Sequence, residues 1–237
     1  AGFHVVTANK EALSKHFSEL LKSAADADRA LMFEASVGGG IPLLVSYRQI
    51  LATNRILRVR GIVNGTTNYI LTQMVSGNVA YADALAGAQQ LGYAESDPTA
   101  DVEGFDAAYK LAILASMMCG RHIHPDEIQR TGITGVGQSD IDAARRSGGV
   151  IKLIAKAEIE ASGNVSLSVA PEFVSNDELL AHIHANYNAI ECVGDRVGPV
   201  VLTGQGAGPL PTSSAILSDI VEAARVGSDA NPRLGAI

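Results

Sequence analysis

The chain has 237 residues, enough for one large domain or two small ones, and its 47% hydrophobic content is ample for a core. A net charge of −7 argues against a nucleic-acid surface, and with no apolar run of membrane-spanning length and no secretory pattern the expectation is a cytoplasmic protein without a membrane partner. Cys119 and Cys192 are too few and too far apart for a disulfide framework or a zinc site, so two reduced thiols are expected.

Phe3 to Val6 reads as a short strand. Thr7 or Asn9 then caps a helix whose apolar residues Leu13, Phe17, Leu20 and Leu21 fall at helical spacing. Ala30 to Ala35 reads as a second strand, so the front of the chain is β-α-β. In Glu34-Ala-Ser-Val-Gly-Gly-Gly-Ile-Pro42 three successive glycines mark backbone that is bent or closely approached. No Lys-Ser/Thr follows them, as a phosphate-binding P-loop requires, and a tight turn before a helix over 43–53 is the plain reading. Leu57 to Val63 reads as a strand ending at Asn64-Gly65. Thr66 or Thr67 is expected to cap the helix that follows, although small hydroxyls and an amide at such a junction can also bind a polar substrate. A further helix over 81–91 delivers the chain to a carboxylate-rich loop.

That loop, Gly92-Tyr-Ala-Glu-Ser-Asp-Pro-Thr-Ala-Asp-Val-Glu-Gly-Phe-Asp-Ala-Ala-Tyr-Lys110, holds Glu95, Asp97, Asp101, Glu103 and Asp106 ahead of one lysine. It leads into an apolar helical run, Ala107 to Met118. Asp106 and Lys110 are four apart and share a helix face, which fits a surface ion pair. Lys110, however, is surrounded by Ala107, Ala108, Leu111, Ala112 and Leu114; a lysine between apolar groups and carboxylates is suited to proton transfer. His122 and His124 have no third ligand at convincing spacing and read as loop histidines, as do His182 and His184. Two short helical pieces are expected over 126–134 and 139–145. Beyond Val150 the pattern alternates: strands from Ile151 and from Val165 joined at Ser162-Gly-Asn164, a brief helix over 177–184, then strands over 187–193 and 200–203. The expected fold class is α+β, a mixed or antiparallel sheet covered by helices, with a flat face suited to a homodimer. Gly204-Gln-Gly-Ala-Gly-Pro-Leu-Pro-Thr212 opens a last helix over 213–225, and a glycine loop at a helix start is a fair anion or cofactor seat.

The stretch from Gly92 to Lys110 closely resembles the signature of the homoserine dehydrogenases, roughly G-[YF]-[AT]-E-x-D-P-x-x-D-x-x-G-x-D-x-x-x-K. Gly92, Tyr93, Glu95, Asp97, Pro98, Asp101, Gly104, Asp106 and Lys110 all fall in register. The likeness continues in Val5-Val-Thr-Ala-Asn-Lys10, in Glu34 to Pro42, in Gly61-Ile-Val-Asn-Gly-Thr-Thr-Asn-Tyr-Ile70 and in Gly204 to Gly208, and so covers most of the chain.

The resemblance implies reversible, NAD- or NADP-dependent reduction of aspartate semialdehyde to homoserine, on the way to threonine, methionine and isoleucine. It implies Lys110 as the proton-transfer residue, with Glu95 and Asp106 receiving the substrate ammonium and Asp101 helping to position it. Lys10, which alone reads equally as a surface lysine, is implied beside the nicotinamide, with Gly92 and Gly208 as further cofactor contacts. A monovalent cation, sodium or potassium, is implied at Glu34, Val37, Gly39 and Ile41, where oxygen-only ligation suits a hard ion. Pro209 and Pro211 make the last glycine loop stiffer than in some relatives. A member of this family is expected to open with a strand, G-x-G-x-x-G and a helix, which this sequence lacks. It therefore reads as the catalytic part of a longer enzyme. Residues 1–42 would be the tail of a Rossmann-like nucleotide-binding domain and hinge, 43–203 a catalytic and dimerisation domain, and 204–237 a cofactor-side loop with a helix returning to the first unit. The alternative is a non-catalytic dimerisation and substrate-binding module. An acylating semialdehyde dehydrogenase is disfavoured, because neither cysteine has a histidine partner motif.

Overall fold

A computed structural model of the chain describes residues 2–226. At its front, β1 (Val5–Val6) pairs in parallel with β2 (Leu31–Met32), and α1 (Lys10–Lys15) and α2 (Phe17–Asp26) make the crossover between them. Asn9 is the cap: its side chain accepts from Ala12 N at 3.0 Å. The single helix expected here is split, because His16 at φ −128° leaves helical geometry. Beyond the break Phe17 packs edge-on against Phe33, with ring centroids 6.0 Å apart. The second strand is also shorter than its apolar run, since Glu34–Ser36 coils into a single 3₁₀ turn.

After the three glycines come α3 (Leu43–Leu51), β3 (Ile56–Ile62), α4 (Gly65–Ser76), α5 (Tyr81–Gln90), the short α6 (Thr99–Val102) and α7 (Phe105–Cys119). Helix α7 is apolar almost all round and correspondingly central: Leu111, Ala112, Ile113 and Ala115 are wholly inaccessible. It packs on α1 and against β3 and on two strands of the large sheet, β5 (Gly149–Ile159) and β6 (Val165–Ser175). Each large side chain buried this way contributes about 1.5–3 kcal/mol.

The sequence 126–134 holds a correction. Only Pro125–Glu127 coils, as a 3₁₀ turn, and Gln129–Arg130 runs on as strand β4, pairing in parallel with the otherwise open edge of β6. Helix α8 (Gln138–Arg146) then leads into the β5–β6 hairpin, whose register runs from Gly149↔Ser175 to Ile159↔Val165. A 3₁₀ segment, Leu179–His182, precedes β7 (Tyr187–Gly194) and β8 (Gly198–Gln205). The six strands lie in the order β4-β6-β5-β3-β7-β8, antiparallel except for β4 on β6, so the sheet is mixed and the α+β expectation holds. Helices α4, α7 and α8 cover one face. On the other, Ile62, Ile154, Val174, Leu180, Ala181 and Ala189 form a smaller cluster under the 179–182 segment.

The last helix, α9 (Pro209–Val226), returns to pack on β1, β2 and the Glu34–Ser36 turn, the return expected of it. Residues 227–237, the end of the expected third unit, lie outside the described residues.

Candidate active site

Strand β3 ends at Ile62, and Val63 hands the chain to Asn64, whose extended backbone makes it the N-cap of α4. Its Oδ1 accepts from Thr67 N at 2.9 Å, so Asn64 does what was expected of Thr66 or Thr67. The threonine hydroxyls have other partners. Thr67 Oγ1 donates back to Asn64, while Thr66 Oγ1 donates to Tyr93 O at 2.6 Å and ties the carboxylate loop to the start of α4.

The other end of the Asn64 amide builds the site. Its Nδ2 donates to Asp101 Oδ1 at 2.6 Å and to Asp106 Oδ2 at 2.8 Å. Asp106 sits in the first turn of α7, where a carboxylate is favoured by the helix dipole. One turn on, Lys110 Nζ donates to Asp106 Oδ2 at 2.7 Å and to Val63 O at 2.8 Å. Packing of α1 on α7 brings Lys10 in from the far side, 3.1 Å from Asp106 Oδ1. The Asp106 and Lys110 side chains are 9% and 10% exposed, so this is no surface pair; Lys10 is 41% exposed.

Burial alone would push the Asp106 carboxyl up, but the charges of Lys110 and Lys10 and the hydrogen bonds from Lys110 and Asn64 outweigh it and hold its pKa at about 2. Burial likewise opposes the charge on Lys10, yet Asp106 and Asp101 prevail and raise its pKa. Asp101 moves the other way, raised by burial and by the Asp106 charge beyond what the Asn64 hydrogen bond offsets. An ammonium has three donors. Two of those on Lys110 are used, and the third has no acceptor among the described residues.

The structure thus gathers Lys110, Asp106, Asp101 and Lys10, adding Asn64 and the Val63 carbonyl. Glu95 is exposed on the loop, and its carboxylate takes no hydrogen bond among the described residues; the loop is held by Gln89 Nε2 on Glu95 O and by Tyr69 edge-on to Tyr93. Gly92 has a backbone reason to be glycine. At φ +72° it ends α5, with Gly92 N on Gln89 O and Tyr93 N on Ala88 O, the paired bonds of a Schellman motif.

The two glycine-rich segments meet each other. A Cβ on Gly39 would lie 2.4 Å from Gly206 O, one on Gly40 would lie 2.8 Å from Pro211 Cβ, and Gly40 N donates to Gln205 O at 3.1 Å. Gly206 in turn lies over Asn188, where a Cβ would come within 1.8 Å of the amide nitrogen. That Asn188 amide is buried with neither Nδ2 nor Oδ1 hydrogen-bonded. Gly208 takes φ +119° at the start of α9.

Glu34 is buried and caps α3 from outside: its two carboxylate oxygens accept from Leu44 N at 2.8 Å and Val45 N at 2.9 Å. Burial nevertheless raises its pKa. Glu34 N donates to Asp219 Oδ2 at 2.8 Å, fastening α9 to the same turn. Ile41 O accepts from Leu43 N, whereas the carbonyls of Val37 and Gly39 take no such bond among the described residues. No cluster of three His, Cys, Asp or Glu side chains is present among the described residues, and three of the histidines meet backbone groups: His122 meets Ser14 O, His124 Nδ1 accepts from Asp126 N and His182 meets Asn176 O. A separate cleft between α2, α3 and α9 holds Arg48 and Asp219 but none of the lysine–aspartate groups.

A family model described as homoserine dehydrogenase matches residues 42–221. The chain belongs to the homoserine dehydrogenase family. The homoserine dehydrogenase of Synechocystis is 43% identical over 98% of this chain and 54% of its own length. That of Corynebacterium glutamicum is 45% identical over 95% of this chain and 52% of its own. Among solved structures, a homoserine dehydrogenase from Thiobacillus denitrificans matches with a TM-score of 0.92 and 39% identity, over 95% of this chain and 52% of that one. A hyperthermophilic archaeal homoserine dehydrogenase in complex with NADPH matches at 0.83 and 31% identity, over 98% and 66%. The chain spans about half the length of the curated homoserine dehydrogenases it matches.

Proposed function

We propose that this chain supplies the substrate-binding and proton-transferring part of a cytoplasmic, dimeric homoserine dehydrogenase, which interconverts L-aspartate 4-semialdehyde and L-homoserine with NADP or NAD. The reaction would serve threonine, methionine and isoleucine synthesis. The observation that carries the reading is Lys110: buried, aligned by Asp106 and the Val63 carbonyl, and left with one N–H to give away. A fixed donor of this kind protonates the carbonyl oxygen of an aldehyde and, as the neutral amine, takes the hydroxyl proton in reverse. Asp106, ionised down to about pH 2, keeps the lysine in place throughout. Both Asp106 oxygens already serve lysines, which favours exposed Glu95 as the first receiver of the substrate ammonium, with Asp101 steadying it.

The dinucleotide fits beside Lys10 and Gly208. Lys10 is a partly exposed cation at the edge of the cluster, and beneath the glycine loop Asn188 offers a buried amide without a partner. The hydride itself is the cofactor's contribution. For a sodium or potassium ion the donors would be Glu34, Val37, Gly39 and Ile41. Since Glu34 and Ile41 already accept backbone N–H groups, the carbonyls of Val37 and Gly39 are the freest of the four.

The test is homoserine oxidation by the full-length protein, wild type against Lys110→Ala. Loss of about 10²–10⁴ in kcat with homoserine binding retained is expected for a proton-transfer residue. Normal turnover by the variant would make the lysine structural and remove the basis of the proposal.

A further inference from the structure

A second lysine is buried in this molecule, and it lacks the carboxylate that accompanies Lys110. Lys152, on β5, is 3% exposed. Its ammonium donates to two neutral oxygens, Asn68 Oδ1 at 3.0 Å and Ile183 O at 2.6 Å. Its cross-strand neighbour Glu172 turns instead to Arg60 and Lys156. Burial, with no opposing charge, pulls the Lys152 pKa down to about 8, and next to it burial and then the Lys152 charge lower that of His184. Charged groups are rarely buried without a counter-charge, because desolvation costs several kcal/mol per ion.

What this group holds is the loop 183–187. Asn68, which receives the lysine, donates its own Nδ2 to Ile183 O at 3.2 Å and to Tyr187 O at 3.1 Å. The loop is pressed hard against α4, since a Cβ on Gly65 would come within 2.7 Å of Asn186 O. It also contains Ala185 at φ +54°, a left-handed conformation an alanine does not adopt by preference. Two unfavourable features, an uncompensated charge and a strained alanine, therefore meet at one place. That place is the first turn of α4, where Asn68 N donates to Asn64 O, and Asn64 holds both Asp101 and Asp106.

We propose that Lys152 is a positioning residue for the Asp106–Lys110 pair, acting through Asn68 and the loop 183–187 to fix the first turn of α4 and with it the Asn64 amide. It touches neither substrate nor the reacting atoms. Clamped, the loop leaves α4 one place to start; released, Ala185 relaxes, Gly65 loses its neighbour and Asn64 no longer presents its Nδ2 to the two carboxylates at one fixed distance. The inference rests on the functional reading above for its kinetic consequence, while its structural consequence stands apart from it.

Lys152→Met in the full-length protein keeps the bulk of the side chain and removes the donors. Homoserine oxidation should fall by about tenfold to a hundredfold in kcat, as expected when reacting groups are slightly misplaced. The KM for the dinucleotide should not change. Lys152→Arg, which keeps a charged donor, should recover most of kcat. Asn68→Ser should imitate Lys152→Met, and the double variant should be no worse than either single one. In parallel, hydrogen exchange should quicken at residues 65–68 and 183–188 in Lys152→Met. Wild-type kcat in the folded variant, additive losses in the double variant, or unchanged exchange at 65–68 would each overturn the proposal. Should the wild-type protein itself fail to oxidise homoserine, the functional reading falls, and the exchange measurement still decides for or against the clamp.

Discussion

Asp106 is the residue on which most of the candidate site converges, and its charge is a measurable part of stability. Its folded pKa of about 2 lies below the ordinary 3.8, so its contribution is present above about pH 4 and is lost as pH falls through 2. By linkage that is on the order of 2 kcal/mol. Asp106→Asn would leave Lys110 and Lys10 without their anion and should destabilise by about 3–5 kcal/mol at neutral pH. Urea melts between pH 2 and 7 should show the gap to wild type close as pH falls; a constant gap would mean the pair carries no net charge effect. Lys110 with Asp106 is legible in the sequence because four residues on a helix fix their geometry locally. Asn64 is not, since its two carboxylates lie 37 and 42 residues further along the chain. Lys152 is still less so: it reads as one of several charged residues alternating along a half-exposed strand, and only the fold brings Asn68 and Ile183 over it.

At the scale of elements, strong periodicity carries furthest. Helices α3, α4, α5 and α7 and the β5–β6 hairpin are legible from spacing and turn residues, and they fall within a few residues of their expected limits. The failures sit where tertiary contacts override local pattern: the break at His16, the turn that cuts β2 short at Met32, and β4, which forms only because β6 offers it an edge. The glycine segments are legible as special backbone, but their mutual contact is not. Gly39→Ala should be severe, because the added carbon would strike the Gly206 backbone, which cannot swing aside as a side-chain end can. Loss of several degrees in melting temperature is expected, with dinucleotide binding weakened; a variant that melts and binds like wild type would show that the loop has room to move. Gly92→Ala, at a site with open space around it, should cost only about 1 kcal/mol for the left-handed backbone.

Across the whole molecule, one sheet separates two environments. Helices seal one face around α7. The other carries a lattice of ion pairs, Arg58 with Glu191 and Arg60 with Glu172 and Glu178, around a small apolar cluster. A homodimer through this second face should scatter light with twice the chain mass, and Arg58→Glu, which sets like charges opposite each other, should shift it toward monomer. A particle of single mass at working concentration would remove that face as an interface. Beyond the sheet, the contact of Gly39 with Gly206 has a consequence for how this protein can change over generations. Elsewhere in the core an enlarged side chain can be accommodated by shrinking its neighbour. Here both neighbours are already the smallest residue there is, so no second substitution can rescue the first, and the two segments are closed to drift together.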